Sequence, residues 1–360
     1  MSGLSGAAPR TVRVMVVEDS AVVQGLLRFI IGADPRLEVC AVCTSGEAAI
    51  EALPRVRPDV ISMDIRLPGM DGLEATRLIM SRFPTPIVVI ANAVEDASLR
   101  ISMNSLRSGA LSVVEKPAGF GHAHHAEIAE TIRTQLYIMS QVPVIRQRPM
   151  PDREAGSHHR VASRAGRRIT PTIAGLVAST GGPAALARVL GALPEDFPAP
   201  ILVVQHMGAA FMPGFAAWLD GLVPMQVAIA EHGRTPMPGH VYIAPGDEHL
   251  TLGLDGTLRL GREAQVSSQR PSGTVLFRSL ATLCGPRAMG VLMTGMGEDG
   301  AEGLFAMRRA GALTLTEDET TTVVYGMPQA AVKIGASRLS LPLDRIPDAI
   351  RRAFMEGASW

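Results

Sequence analysis

Short apolar runs separated by amphipathic, helix-like stretches recur from residue 12 to near residue 138: VRVMVV, LEVCAV, PDVISM, PIVVI and ALSVV. A strand buried on both faces reads as a continuous apolar run, and consecutive parallel strands need a crossover between them, usually a helix. Five such runs predict a five-stranded doubly wound parallel sheet over residues 11–138. A second series starts at Thr170 with TIAGLVAS, PILVVQH, GHVYIAP, LTLGLDGTLRL, AMGVLMTGM and GALTLTED, interleaved with helical segments such as AALARVLGAL and AEGLFAMRRAG. Within HVYIAPGDEHLTLGLDGTLRL, a DG pair between alternating residues is a hairpin signal. Residues 169–360 are therefore expected to form a mostly parallel α/β domain with an inserted β-hairpin. Residues 139–168, with seven arginines between 143 and 168 and little apolar periodicity, read as a linker.

Composition narrows the function classes. Hydrophobic residues make up 47% and aromatic residues 4%, which suits aliphatic sheet cores. Basic and acidic residues balance at 34 each, so no global field draws the chain to nucleic acid or anionic lipid. No aromatic residues interleave with the linker arginines to stack on bases, and the second half has no compact basic helical module. No apolar stretch reaches the roughly 18 residues of a membrane span, and no signal peptide precedes the first strand. A cytoplasmic monomer without membrane insertion is expected. Cys40 and Cys43, spaced Cys-x-x-Cys on a predicted strand, read as structural thiols.

Chemistry-bearing residues gather where strands end. Glu18 and Asp19 follow the first strand, Asp64 the third and Lys116 the fifth. In an open parallel sheet these ends face one crevice. Singly, each acid reads as a helix cap; together, three carboxylates suit a hard cation such as Mg²⁺, and a carboxylate beside it can accept a phosphoryl group. The segments VVEDSAVVQ, MDIRLPGMDGLEATR and EKP resemble a response-regulator receiver domain. That resemblance implies Asp64 as phosphoacceptor, Glu18, Asp19 and Asp64 as Mg²⁺ ligands, and Lys116 as a phosphoryl contact. It also exposes two departures: Ala91 stands where the family has a switch Ser or Thr, with Asn92 next as a substitute phosphate contact, and Val113 stands at the aromatic switch position.

In the second half, GLVASTGG ends an apolar run on Ser179. A nucleophile and a helix cap are both open readings of this serine. His206 ends the next strand, and Asp299 lies in LMTGMGEDGAEG after another. Alone, His206 reads equally as a strand-end histidine and Asp299 as an N-cap; together with Ser179 they make up the parts of a Ser-His-Asp relay. The order Ser, His, Asp and the absence of G-x-S-x-G disfavour an α/β-hydrolase, and no lysine follows the glycines to make a Walker loop.

The motifs VASTGGP, VVQHM, YIAPGDEHL, RPSGTVLFRSL, LMTGMGEDGAEGL and DETTTVVYGMPQAA resemble the chemotaxis protein-glutamate methylesterases, which join a receiver to a serine-esterase domain. The resemblance implies Ser179, His206 and Asp299 as the catalytic residues. Thr180 and Met296 would belong to the oxyanion and pocket environment, Met296 through its backbone N–H, and His249 would be a pocket residue. It further implies hydrolysis of glutamate γ-methyl esters on chemoreceptors, deamidation of receptor glutamines, and gating of both through Asp64 by a histidine kinase, with no cofactor for the esterase step. The family more often has an acidic residue near Thr274, a departure expected to alter the domain interface or cleft rim. A phosphorylation-controlled, non-catalytic receptor-binding adaptor is the competing reading.

Overall fold

In the computed structural model, which describes residues 10–91, 112–117, 125–142 and 169–356, the five apolar runs of the first half become β1 (Val12–Val17), β2 (Leu37–Cys43), β3 (Val60–Met63), β4 (Ile87–Ala91) and β5 (Ser112–Glu115). They form one sheet in the order β2-β1-β3-β4-β5, with every ladder parallel. The crossovers contain α1 (Ala21–Gly32), α2 (Gly46–Val56) and α3 (Gly72–Arg82), and α4 (His125–Met139) follows β5. Helices start where local chemistry supplies an acceptor: Ser45 caps the Ala48 amide and Asp71 caps the Glu74 amide. Val14, Val16, Ile61 and Val89 are buried between the helical layers. Strand order reverses between β1 and β3, so their carboxyl ends open a crevice. Asn92 and residues 143–168 of the expected linker lie outside the described residues.

The chain divides into two compact units, Met1–Arg148 and Pro149–Trp360. The second is built on a seven-stranded sheet whose ladders are all parallel. Its strands are β6 (Ile173–Ala178), β7 (Ile201–Gln205), β8 (Gln226–Ile229), β9 (His240–Ile243), β12 (Ala288–Leu292), β13 (Leu313–Glu317) and β14 (Leu339–Leu341), in the order β14-β13-β12-β6-β7-β9-β8. The expected hairpin is β10 (His249–Leu252) with β11 (Leu258–Gly261), antiparallel and forming a separate sheet; its HVYI portion joins the main sheet instead, as β9. The helices bearing on the site are α5 (Gly182–Gly191), α6 (Met212–Asp220), α7 (Gly273–Leu283), α8 (Ala301–Arg309), α9 (Met327–Lys333) and α10 (Ile346–Arg351). Leu276, Phe277 and Leu280 of α7 and Leu304 and Met307 of α8 share a buried core with Val177, Leu202 and Leu292.

Candidate active site

Two clusters of polar side chains stand at strand ends, one in each unit. In the first, Glu18 and Asp64 are buried and Asp19 is exposed, yet one oxygen of each lies within 4.8 Å of the others. Lys116 Nζ reaches Glu18 Oε2 at 2.8 Å and Asp64 Oδ2 at 2.9 Å. Burial pushes the Glu18 carboxyl up, with the Lys116 hydrogen bond offsetting only part of this and Asp64 adding to it. Burial pulls Lys116 down, but its bonds to Glu18 and Asp64 outweigh that and hold it above the ordinary lysine value. A donor set of three carboxylates suits a hard, oxygen-seeking divalent cation. Ala91 closes β4, and its carbonyl accepts the Lys116 amide at 2.9 Å; Val113 pairs with Val89 inside the sheet.

In the second unit, β6 and β7 are neighbours in register, Ala178 opposite Gln205, so Ser179 and His206 are the next residues on adjacent strands. The Gln205 amide clamps both strand ends, its Nε2 donating to Ser179 O at 2.8 Å and to His206 O at 3.0 Å. Ser179 does not cap the following helix. The N-cap of α5 is Gly181, in the left-handed region at φ 77°, and there is no side-chain cap. Nor does Asp299 cap α8, whose N-cap is Gly300.

Asp299 instead serves a different helix. Its Oδ1 accepts from Ser272 Oγ at 2.6 Å and Thr274 N at 3.1 Å, and its Oδ2 accepts from Gly273 N at 2.6 Å and His206 Nε2 at 2.9 Å. Gly273 and Thr274 open α7, so a buried carboxylate sits at the positive end of that helix. Burial pushes Asp299 up, but the bonds from His206, Ser272 and Gly273 together outweigh it and hold the carboxyl below its usual range. An ionised carboxylate only accepts, so the Nε2 of His206 that bonds it carries a proton, and Nδ1 is the ring nitrogen not engaged by Asp299. That Nδ1 is buried and has no hydrogen-bond partner among the described residues.

On the other flank, Thr294 ties the serine turn down. Its carbonyl accepts Ser179 N at 2.9 Å, while its hydroxyl donates to Thr180 O at 2.9 Å and accepts Val324 N at 2.9 Å. Gly295 follows at close approach: a Cβ there would lie 2.6 Å from Ser179 Cβ and 2.3 Å from Met327 Sδ. The Met327 side chain can swing away; the serine backbone, bonded on both sides, cannot. Gly295→Ala is therefore expected to displace Ser179 and to cost about 1–3 kcal/mol of stability, and a reaction that depends on Ser179 would slow about 100-fold at roughly 1 Å of misplacement. Steady-state kinetics with chemical denaturation checks both.

The family model for CheB methylesterase matches residues 174–350, and that for the response regulator receiver domain matches residues 14–126. A protein-glutamate methylesterase/protein-glutamine glutaminase of Paramagnetospirillum magneticum is 51% identical over 97% of this chain and 99% of its own length. The chain belongs to the CheB methylesterase family. Another relative in that family, from Nitrosospira multiformis, carries the same methylesterase/glutaminase name and is 40% identical over 96% of this chain and 98% of its own length. The crystal structure of the Thermotoga maritima CheB methylesterase catalytic domain is 36% identical, covering 51% of this chain and 98% of that one at a TM-score of 0.49.

Within this CheB family member, the remaining expected site residues fall into different surroundings. Thr180 is buried, and Met296 is 47% exposed on the loop after β12. The Met296 amide enters no backbone hydrogen bond among the described residues. His249, expected in the pocket, is buried with both ring nitrogens engaged: Nε2 to Ala264 O at 3.1 Å, and Nδ1 accepting Ser272 N at 3.2 Å. It holds the serine that holds Asp299. The departure near Thr274, expected to alter the domain interface or cleft rim, falls beside a residue 2% exposed beneath Asp299, whose hydroxyl accepts Gly300 N at 2.8 Å. Ser272, Gln205 and Thr294 lie inside RPSGTVLFRSL, VVQHM and LMTGMGEDGAEGL without a role implied for them, and the local signal at Gln205 and Glu317 is a polar residue closing a buried apolar strand. Among the described residues, no helix is long and apolar enough to cross a membrane.

Proposed function

We propose that this chain hydrolyses γ-methyl esters of glutamyl side chains on chemoreceptors, and deamidates receptor glutamines, through Ser179, His206 and Asp299. The observation that carries this reading is the His206 to Asp299 bond of 2.9 Å, which leaves Nδ1 buried and without a partner among the described residues, at the end of the strand next to that of Ser179. In the proposed reaction Nδ1 takes the Ser179 proton as Oγ bonds to the ester carbonyl carbon, and Asp299 stabilises the resulting imidazolium. The carbonyl π pair moves onto oxygen, where the Met296 amide and the Thr180 turn supply donors. Collapse of the adduct breaks the C–O bond, and the imidazolium gives its proton to the departing methoxide, which leaves as methanol. Water, deprotonated by the same Nδ1, then cleaves the acyl-enzyme to the glutamate carboxylate and free Ser179. An amide follows the same route, with ammonia leaving.

In the receiver, Asp64 is the proposed phosphoacceptor for a histidine kinase, with Lys116 contacting the phosphoryl group. Glu18, Asp19 and Asp64 would hold Mg²⁺, which when bound neutralises charge on the phosphoryl oxygens. The proposed setting is the cytoplasm, where kinase and receptor signalling domains are accessible. The test is methanol release from methylated receptor membranes with and without a small-molecule phosphoryl donor and Mg²⁺. The donor is expected to raise the rate by about fivefold or more, the lower end of ordinary coupling energies, and Asp64→Asn to abolish that increase while keeping the basal rate. Wild-type protein that binds receptors but releases no methanol would replace this reading with the adaptor. A donor without effect on wild type would leave the esterase and remove the gating.

A further inference from the structure

Glu317 closes β13 as a buried carboxyl for which the reaction above has no use. Its Oε2 accepts the Thr294 amide at 2.9 Å, and its Oε1 is buried as well. Thr294 is the residue whose carbonyl holds Ser179 N and whose hydroxyl holds Thr180 O, and Gly295 and Met296 follow it directly. A single residue, Thr294, thus connects the Glu317 carboxyl to the serine turn and to the segment bearing the Met296 amide.

We propose that Glu317 is a positioning residue of the hydrolytic site, and that loss of its proton slows ester hydrolysis through the Thr294–Met296 segment. The proposal rests on the hydrolytic reading of Ser179. The sheet order sets the sign. β13, β12, β6 and β7 are consecutive neighbours, and strands lie about 4.8 Å apart, so Glu317 stands two strands from Ser179 and three from His206. A negative charge there opposes the oxyanion beside β12 more than it favours the imidazolium beyond β6. It also pulls on the amide of Thr294, the residue whose carbonyl and hydroxyl hold the turn.

The carboxyl is poised for this. Burial pushes Glu317 up to about 7, the Thr294 amide and the Thr321 hydroxyl offset that only in part, and Asp318 adds to it. The flanking strand segments AMGVL and LSL hold no charged side chain. On the packed helices, Glu302 is paired with Arg278, Arg308 is turned to the carbonyls of Gly335 and Ser337, Arg309 is exposed, and Lys333 bonds Gln329. Asp318, next in the chain, is the charged neighbour that acts on it.

The test compares wild type with Glu317→Gln, which keeps an acceptor for Thr294 N but cannot ionise. Methanol-release kcat is measured on the full chain from about pH 6 to pH 9, a span that brackets the Glu317 value, and unfolding by denaturant is followed down to about pH 4. The ratio of the two proteins reads the net effect of the Glu317 charge on the oxyanion and on the His206 imidazolium. The ratio of variant to wild-type kcat is expected to rise about threefold across the upper span, with KM unchanged. In the unfolding series, a carboxyl raised by folding contributes stability that is present below the ordinary glutamate value and lost as pH climbs to about 7; the variant is expected to lack this slope. A pH-independent kcat ratio overturns the proposal, and so does the same unfolding slope in both proteins. Failure of the hydrolytic reading itself would look different: no serine-dependent methanol release from wild type at any pH.

Discussion

Ser179→Ala is expected to lower methanol release by about 10⁴-fold or more, the usual cost of deleting a nucleophile from a relay, while leaving the fold within about 0.5 kcal/mol of wild type. The second half of that expectation comes from how the residue is held. Its amide bonds Thr294 O and its carbonyl accepts Gly182 N and Gln205 Nε2, so the turn is fixed by main-chain atoms that alanine also has. The serine side chain gives no cap to α5, the one structural duty a hydroxyl at that position would ordinarily perform. Activity and stability therefore separate at this residue. Single-turnover methanol release with equilibrium denaturation tests both, and a variant retaining a tenth of the wild-type rate would exclude Ser179 as the nucleophile.

Asp299→Asn is expected to differ by losing both. The buried site presents donors to each carboxylate oxygen: Ser272 Oγ and Thr274 N to Oδ1, Gly273 N and His206 Nε2 to Oδ2. An amide has one acceptor oxygen, so its NH₂ must face donors on one side whichever way it turns. If the NH₂ faces His206, Nε2 must accept and the ring proton moves to Nδ1, the atom that has to receive the Ser179 proton. The wrong tautomer in such a relay costs about 10⁴-fold in kcat. The unsatisfied donors at the start of α7 add about 1–3 kcal/mol of instability. The same kinetic and denaturation measurements apply, and a variant within tenfold of wild type would remove Asp299 from the machinery.

Most strands could be read because burial on both faces writes itself into contiguous residues. VRVMVV, IAGLVA and AMGVL carry that pattern and lie inside their sheets. β8 and β14 could not. They are four- and three-residue segments at opposite edges of the seven-stranded sheet, only partly buried, and their apolar content does not stand out from the neighbouring loops. The polar residues supporting the site were hidden for a different reason. Gln205 reaches Ser179 across 26 residues, Asp299 reaches Ser272 across 27, and Thr294 reaches Thr180 across 114. A hydrogen bond of that span leaves no local periodicity. Thr274 shows the same limit: a hydroxyl that reads as a surface variation in RPSGTV is a buried acceptor for the Gly300 amide.

The sequence by itself determined the alternation of strand and crossover and the set of reactive side chains at strand ends, because apolar periodicity and turn chemistry act between near neighbours. Which of those side chains meet was decided by tertiary structure. Placing β6 between β7 and β12 puts Ser179 beside His206 on one flank and beside Thr294 on the other. The start of α7, far from both in sequence, helps hold the Asp299 carboxyl ionised and so orients the His206 ring through its Nε2. Hydrogen-bond partners and buried charges depend on strand order and helix docking, and those follow from burying the whole set of apolar faces at once.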